Sequence, residues 1–203
     1  MPFEKAFQLY LPDNHFPKVL KYTILIVLTF LCQQAFSQDG LLPLDGEKNI
    51  QYSDLGKPEL GKAEIYKKAQ EWVSKTFGNY ENAVTGSNQE SGKLLITSYV
   101  PVSHSLYEYL RFDLSIDCQD HQYVAKISKL DGVSTMRSPA RLGPRENDII
   151  TAKEILVKTE TARKKKSAEE ALQVAKADNE SINNTMYNLL GSLKVSITSK
   201  DGQ

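Results

Sequence analysis

The chain has 203 residues, of which 40% are hydrophobic and 25% charged, and its 25 Lys and Arg are balanced by 25 Asp and Glu. That composition suits one soluble globular domain with a real core. A formal charge of zero supplies no field to draw the chain onto nucleic acid or an anionic membrane, and two cysteines are too few for a disulfide framework.

The first 37 residues read as a cleavable secretory leader. Lys18 and Lys21 precede an apolar run, Tyr22–Leu31, that falls short of the ~20 residues a membrane-spanning helix needs and fits the roughly 7–15 of a signal-peptide core. Ala35-Phe36-Ser37 puts small residues at the −3 and −1 positions, so cleavage is expected before Gln38. Lipidation at Cys32 is the competing reading, and Leu31 opposes it by standing where a small residue is wanted. The stretch ahead of the apolar run is long and holds Pro2, Pro12 and Pro17, which makes Val19 or Leu20 a candidate true start. A periplasmic or secreted location follows as the expectation, with no stable membrane insertion after cleavage. Cys118 is then alone in the mature chain, which rules out an intrachain disulfide.

Beyond the leader, residues 49–53 alternate weakly as a first strand. Ile65, Ala69, Trp72, Val73 and Phe77 mark one face of a helix that Gly78 and Asn79 close. Residues 81–85 suggest a short strand, 86–88 a turn, and 93–102 a strand broken at Pro101. From Tyr107 to Cys118 the alternation is strongest: Leu110, Phe112, Leu114, Ile116 and Cys118 point one way, and Tyr109, Arg111, Asp113, Ser115 and Asp117 the other. This predicts a half-buried antiparallel sheet with one wet face. Gln119-Asp120 makes a hairpin tip and residues 123–130 the return strand. Residues 135–147, with Pro139, Gly143 and Pro144, read as loop, and 149–179 as a charged helical stretch. Ile182, Met186, Leu189, Leu190 and Leu193 form the apolar stripe of a closing helix. The class is α+β: an antiparallel sheet with helices on one face, in a single domain over residues 38–198, with 133–181 a loop and charged helical insertion.

Several local features together carry a resemblance. Leu42-Pro43-Leu44-Asp45 follows the leader, Tyr66 and Trp72 lie on the helix with Phe77 near its end, Ser91-Gly92-Lys93-Leu94 opens a strand, and the apolar helix 182–193 closes the chain. In this order they resemble a domain of unknown function with a TATA-binding-protein-like fold, typical of exported proteins of Bacteroidota. The resemblance implies a curved antiparallel sheet backed by helices and brings no activity with it. DNA binding is not expected, since fold does not carry function, the chain is neutral, and Asp113 and Asp117 share the wet face.

Candidate chemistry is sparse. Cys118, Asp120 and His121, with His104 upstream, are residue types that bind zinc or make a Cys–His nucleophile. However, Cys118 continues an apolar strand face, Asp120 and His121 are natural tip residues, and the spacing fits no zinc pattern. Asp113 and Asp117 stand about 13 Å apart at ~3.3 Å per residue, beyond the ~5–9.5 Å of paired glycosidase carboxylates. Arg163–Lys166 has Glu169 and Glu170 as helical partners, as a solvated face would. Phosphate loops, nucleophile elbows and H-E-x-x-H are absent. No catalytic residue, metal or cofactor is assigned. Tyr66, Trp72 and Phe77 belong to the core. Tyr99, Tyr107 and Tyr109, with Arg111, are candidates for an exposed contact surface, and Arg137, Arg141 and Arg145 for anion contacts. The reading is an exported, non-catalytic binding module for an envelope protein or a small ligand. The alternatives are an assembly protein that oligomerises through its C-terminal helix, and a hydrolase with an unfamiliar site.

Overall fold

The computed structural model describes residues 40–199, so the leader and its cleavage site lie outside the described residues. In chain order the elements are β1 (Gln51–Gly56), α1 (Lys62–Phe77), α2 (Tyr80–Ala83), β2 (Val84–Asn88), β3 (Lys93–Pro101), β4 (Tyr109–Gln119), β5 (Gln122–Ser134), β6 (Arg137–Arg141), α3 (Pro144–Thr159) and α4 (Ala162–Thr198). All six strands form one antiparallel sheet, ordered β1-β5-β4-β3-β2, with β6 pairing the far half of β5 beyond the reach of β1.

The alternation of β4 sets the two faces. Leu110, Phe112, Leu114, Ile116 and Cys118 are buried, and the residues between them stay partly exposed. Over the buried face lie α1, through Ile65, Ala69, Trp72 and Val73, and the C-terminal half of α4, through Ile182, Met186, Leu190, Leu193 and Ile197. Trp72 meets Phe77 edge-on at 5.5 Å, Phe77 tilts against Phe112 at 6.1 Å, and the Trp72 indole N–H donates to Ser192 Oγ at 3.0 Å. Each such aromatic contributes about 1.5–3 kcal/mol by burial. No helix among the described residues lies on the opposite, outer face. This is the α+β architecture expected, with the helices on one side.

A bulge changes the pattern within β5. Arg111 pairs with Asp131 and Asp113 with Ser128, which leaves Lys129 and Leu130 together opposite Phe112, with Lys129 at φ 53°. Inward-pointing residues therefore shift from Tyr123, Ala125 and Ile127 to Leu130 and Gly132. Asp131 consequently points outward.

Three segments depart from the sequence reading. Residues 80–83 are a helical turn, because the Asn79 side chain caps the N–H groups of Glu81 and Asn82; the strand follows at 84–88, where a turn was expected. Within 135–147, expected as loop, β6 pairs with β5 and α3 begins at Pro144. Pro139 is tolerated because β6 is an edge strand, and Pro144 suits the first helical turn. The charged stretch 149–179 is divided between α3 and a 37-residue helix, α4, that also carries the closing stripe; the N-terminal half of α4 lies on α3, with Lys176 paired to Glu154 at 2.7 Å. No helix among the described residues is long and apolar enough to cross a membrane.

The segment at 40–45 is tied to these helices by asparagines. Asn147 exchanges two hydrogen bonds with the Leu42 backbone, both 2.8 Å, while Asn179 and Asn183 donate to the carbonyls of Gly40 and Leu41 at 2.8 and 2.9 Å. Leu44 bridges to Ile50, and Asp45 Oδ1 accepts the N–H groups of Glu47 and Asn49. Leu42-Pro43-Leu44-Asp45 is thus a strap anchored by buried Leu42 and ending in a side-chain-capped turn.

Candidate binding face

Strand register alone assembles the outer face. Across the sheet, Arg141 pairs with Asp131, Asp131 with Arg111, and Arg111 with Tyr99; in the next row Val133 pairs with Tyr109 and Tyr109 with Pro101. Four of the seven candidate residues, Tyr99, Tyr109, Arg111 and Arg141, therefore come together. Tyr99 is 54% exposed and Tyr109 48%, although both are large aromatics.

Asp131 organises this cluster. Arg111 Nη1 donates to Asp131 Oδ2 at 3.1 Å, and Arg141 donates through Nε to Oδ1 at 2.6 Å and through Nη2 to Oδ2 at 3.4 Å. Two guanidinium groups thus share one largely buried carboxylate, which leaves an excess of one positive charge and unspent N–H donors on the exposed side. The hydrogen bond to Asp131 raises Arg111 above its ordinary pKa, and Tyr99, Asp131 and Asp113 add to the effect. Below this row, Asp113 accepts from Thr97 Oγ1 at 2.8 Å and from Lys129 Nζ at 2.9 Å. Burial acts to raise the Asp113 carboxyl, but those two hydrogen bonds and the charges of Lys129 and Arg111 together hold the group below its usual range. Asp117 faces Lys93 at 3.7 Å. Between the two carboxylates stands Leu95, half exposed and flanked by shallow hollows of about 330 and 340 Å³.

The other three candidates lie elsewhere. Tyr107 packs from the helix side over Gly132, where an added Cβ would come within 2.4 Å of the ring. Arg137 is on β6, opposite Ser134, and Arg145 is exposed on the first turn of α3, so the four-residue spacing of the arginines spans two elements. Asp131 itself was not singled out by the sequence, where it falls just past the return strand expected at 123–130. Only the bulge at Lys129 turns it outward.

The cysteine and histidine positions do not converge. Cys118 is fully buried, and burial, aided by the charge of Asp117, pushes its thiol up to about 12. Asp120 Oδ1 accepts the Lys62 N–H at 2.8 Å and so caps α1, whose own N-cap residue is Gly61. The His121 N–H donates to Leu60 O at 2.9 Å, and the His104 carbonyl accepts from Ser181 Oγ. Among the described residues no three His, Cys, Asp or Glu side chains gather as metal ligands would. Cys118 in the folded protein is expected to resist iodoacetamide at pH 8 and to react fully once unfolded by guanidinium, because the thiolate is the reactive form. Mass spectrometry of the adduct reads this directly, and rapid native labelling would contradict the packing described.

Residues 52–131 match the model of a family described as a domain of unknown function (DUF4468) with TBP-like fold. A DUF4468 family protein of known structure from Bacteroides ovatus is 13% identical, with 84% of this chain and 98% of that one covered and a TM-score of 0.53. A TBP-like protein from Parabacteroides distasonis is 16% identical, with 75% and 96% covered and a TM-score of 0.48. No curated protein matches the chain.

Proposed function

We propose that the chain, whose residues 52–131 match a family of unknown function with TBP-like fold, is a non-catalytic binding module whose outer sheet face docks a partner protein. One observation carries the reading: Tyr99 and Tyr109 stand half exposed beside the Arg111–Asp131–Arg141 cluster, on the face that no helix among the described residues covers. Tyrosine and arginine are the residue types enriched in interface hot spots, and Asp131 fixes both arginine forks before any partner arrives. DNA is not the partner proposed: the chain is neutral overall, and Asp113 and Asp117 stand on the same face. The leader-like residues 1–37 support placing this work beyond the cytoplasm, with an envelope protein as the partner.

Capture from native envelope extracts, with the chain beginning at Gln38 as bait, tests the proposal. A protein retained by the wild type should be lost with Tyr99→Asp and with Arg111→Gln, which keeps a donor toward Asp131, while both variants melt close to the wild type. Equal retention by all three would sink it. A second reading rests on α3 and α4, where Ile155, Leu156 and Val174 are exposed: assembly through this helical pair. Light scattering decides that case, since Leu156→Glu converts an oligomer to a monomer if the pair is the contact and changes nothing if it is not.

A further inference from the structure

Helices α3 and α4 form a hairpin whose turn is only Glu160 and Thr161. Its tip, residues 158–166, carries Lys158, Arg163, Lys164, Lys165 and Lys166 against one carboxylate, Glu160, and all five cations are exposed. Because the whole chain is neutral, this is a local concentration of charge and no part of a general surplus. Glu169 and Glu170, the helical partners the sequence offers, do not neutralise it. Among the described residues Arg163, Lys164, Lys165 and Lys166 make no ion pair. Glu154, which feels the charge of Lys158, is held by Lys176 at 2.7 Å.

Local stability does not explain the run. The first turn of α4 has no acidic residue and no side-chain cap. A first turn favours carboxylates and disfavours cations by about 0.3–1 kcal/mol each, and repulsion among four neighbouring cations adds to that cost. Apolar surface lies beside the charge. Ile155 and Leu156 are 56% and 49% exposed, and at ~1.5 Å per residue they stand about 6 Å or less along the axis from the end of α3. Exposed aliphatic side chains ringed by cations suit a bilayer surface, where phosphates take the charge and the headgroup layer takes the aliphatics. A nucleic acid would meet the charge and leave Ile155 and Leu156 in water.

We propose that this hairpin tip docks on a bilayer surface rich in anionic lipid headgroups. The contact is peripheral, since no helix among the described residues is long and apolar enough to cross a membrane. Each tip cation contributes about 1 kcal/mol near such a surface. The site shares no residue with the outer sheet face and stands independently of the partner proposed there.

Cosedimentation of the chain beginning at Gln38 with vesicles tests the assignment. Phosphatidylcholine vesicles with about 30 mol% phosphatidylglycerol should pull the chain down, and vesicles of phosphatidylcholine alone should not. Raising NaCl from about 0.1 to 1 M shortens the screening length from ~10 to ~3 Å and should release it. Lys164→Glu combined with Lys165→Glu should weaken partition about tenfold or more. That variant should melt at or above the wild-type midpoint, because it puts carboxylates in the first turn of α4, so lost binding is not lost fold. Lys57→Glu combined with Lys75→Glu, at exposed positions outside the tip, changes the net charge equally and should weaken partition less than about twofold. Tyr99→Asp should leave partition unchanged, which keeps this result distinct from the fate of the docking face. Equal sedimentation with both vesicle types, none with the anionic ones, or equal losses from the two double reversals would overturn the proposal. Retention on immobilised polyglutamate without vesicle binding would also overturn it, by assigning the tip to an acidic protein.

Discussion

Gly92→Ala is expected to destabilise the fold by about 3 kcal/mol or more. Gly92 closes the turn between β2 and β3 at φ 73°, and its carbonyl accepts the Cys118 N–H at 2.8 Å. A Cβ there would lie 2.2 Å from the Cys118 carbonyl oxygen and 3.2 Å from its carbon, both backbone atoms of a central strand that cannot turn aside. The alanine therefore combines a left-handed penalty of about 1 kcal/mol with overpacking of 1–3 kcal/mol. The melting midpoint should fall by roughly 6–12 °C. Gly191→Ala provides the opposite control: Gly191 lies inside α4 with nothing within 4 Å of its missing Cβ. Its replacement should stabilise by about 0.5–1 kcal/mol. A midpoint unchanged by Gly92→Ala would mean that the turn does not press on β4 as described.

Asn183→Ala should cost about 3 kcal/mol, with an unchanged denaturant slope. The Asn183 side chain is buried between two partners: its Oδ1 accepts from the Tyr52 hydroxyl at 2.8 Å, and its Nδ2 donates to the Leu41 carbonyl at 2.9 Å. Truncation leaves both partners buried without their bond, and each orphan costs about 1–3 kcal/mol. Burial pushes the Tyr52 hydroxyl well above its ordinary pKa, as expected for a phenol held neutral between β1 and α4, with Tyr187 edge-on at 5.1 Å. Adding Tyr52→Phe to Asn183→Ala removes one orphan and should restore part of the loss. A double-mutant cycle by urea unfolding measures the coupling, and strict additivity of the two substitutions would contradict the shared bond.

Much of this molecule was legible from periodicity. The stripe Ile65, Ala69, Trp72, Val73 and the alternation through Leu110, Phe112, Leu114 and Ile116 each state which side is buried, because one face of each element meets apolar partners and the other meets water. Elements that owe their existence to distant partners were not legible. Strand β6 contains Pro139 and forms because β5 outruns β1 and leaves an edge to pair. The N-terminal half of α4 reads as solvated charge, and nothing in it reveals that Asn179 and Asn183 reach the backbone of Gly40 and Leu41. The candidate site was half visible. Tyr109 and Arg111 were placed on the wet face by parity and Tyr99 was a candidate contact residue without a face, whereas Asp131, which binds Arg111 to Arg141, faces outward only because of a bulge that no local pattern announces. Tyr107 was lost to the opposite side, since β4 begins at Tyr109 and the preceding loop folds over Gly132.

The helix-free face of the sheet is the centre of the functional account, and photocrosslinking in the living source organism probes it most directly. The full-length chain would carry benzoylphenylalanine at position 99 on β3 or, as a comparison, at position 156 on α3. A discrete adduct with one envelope protein from position 99, abolished by Arg111→Asp and absent from position 156, is the predicted result. Adducts from position 156 alone, or adducts from position 99 that persist with Arg111→Asp, would contradict it.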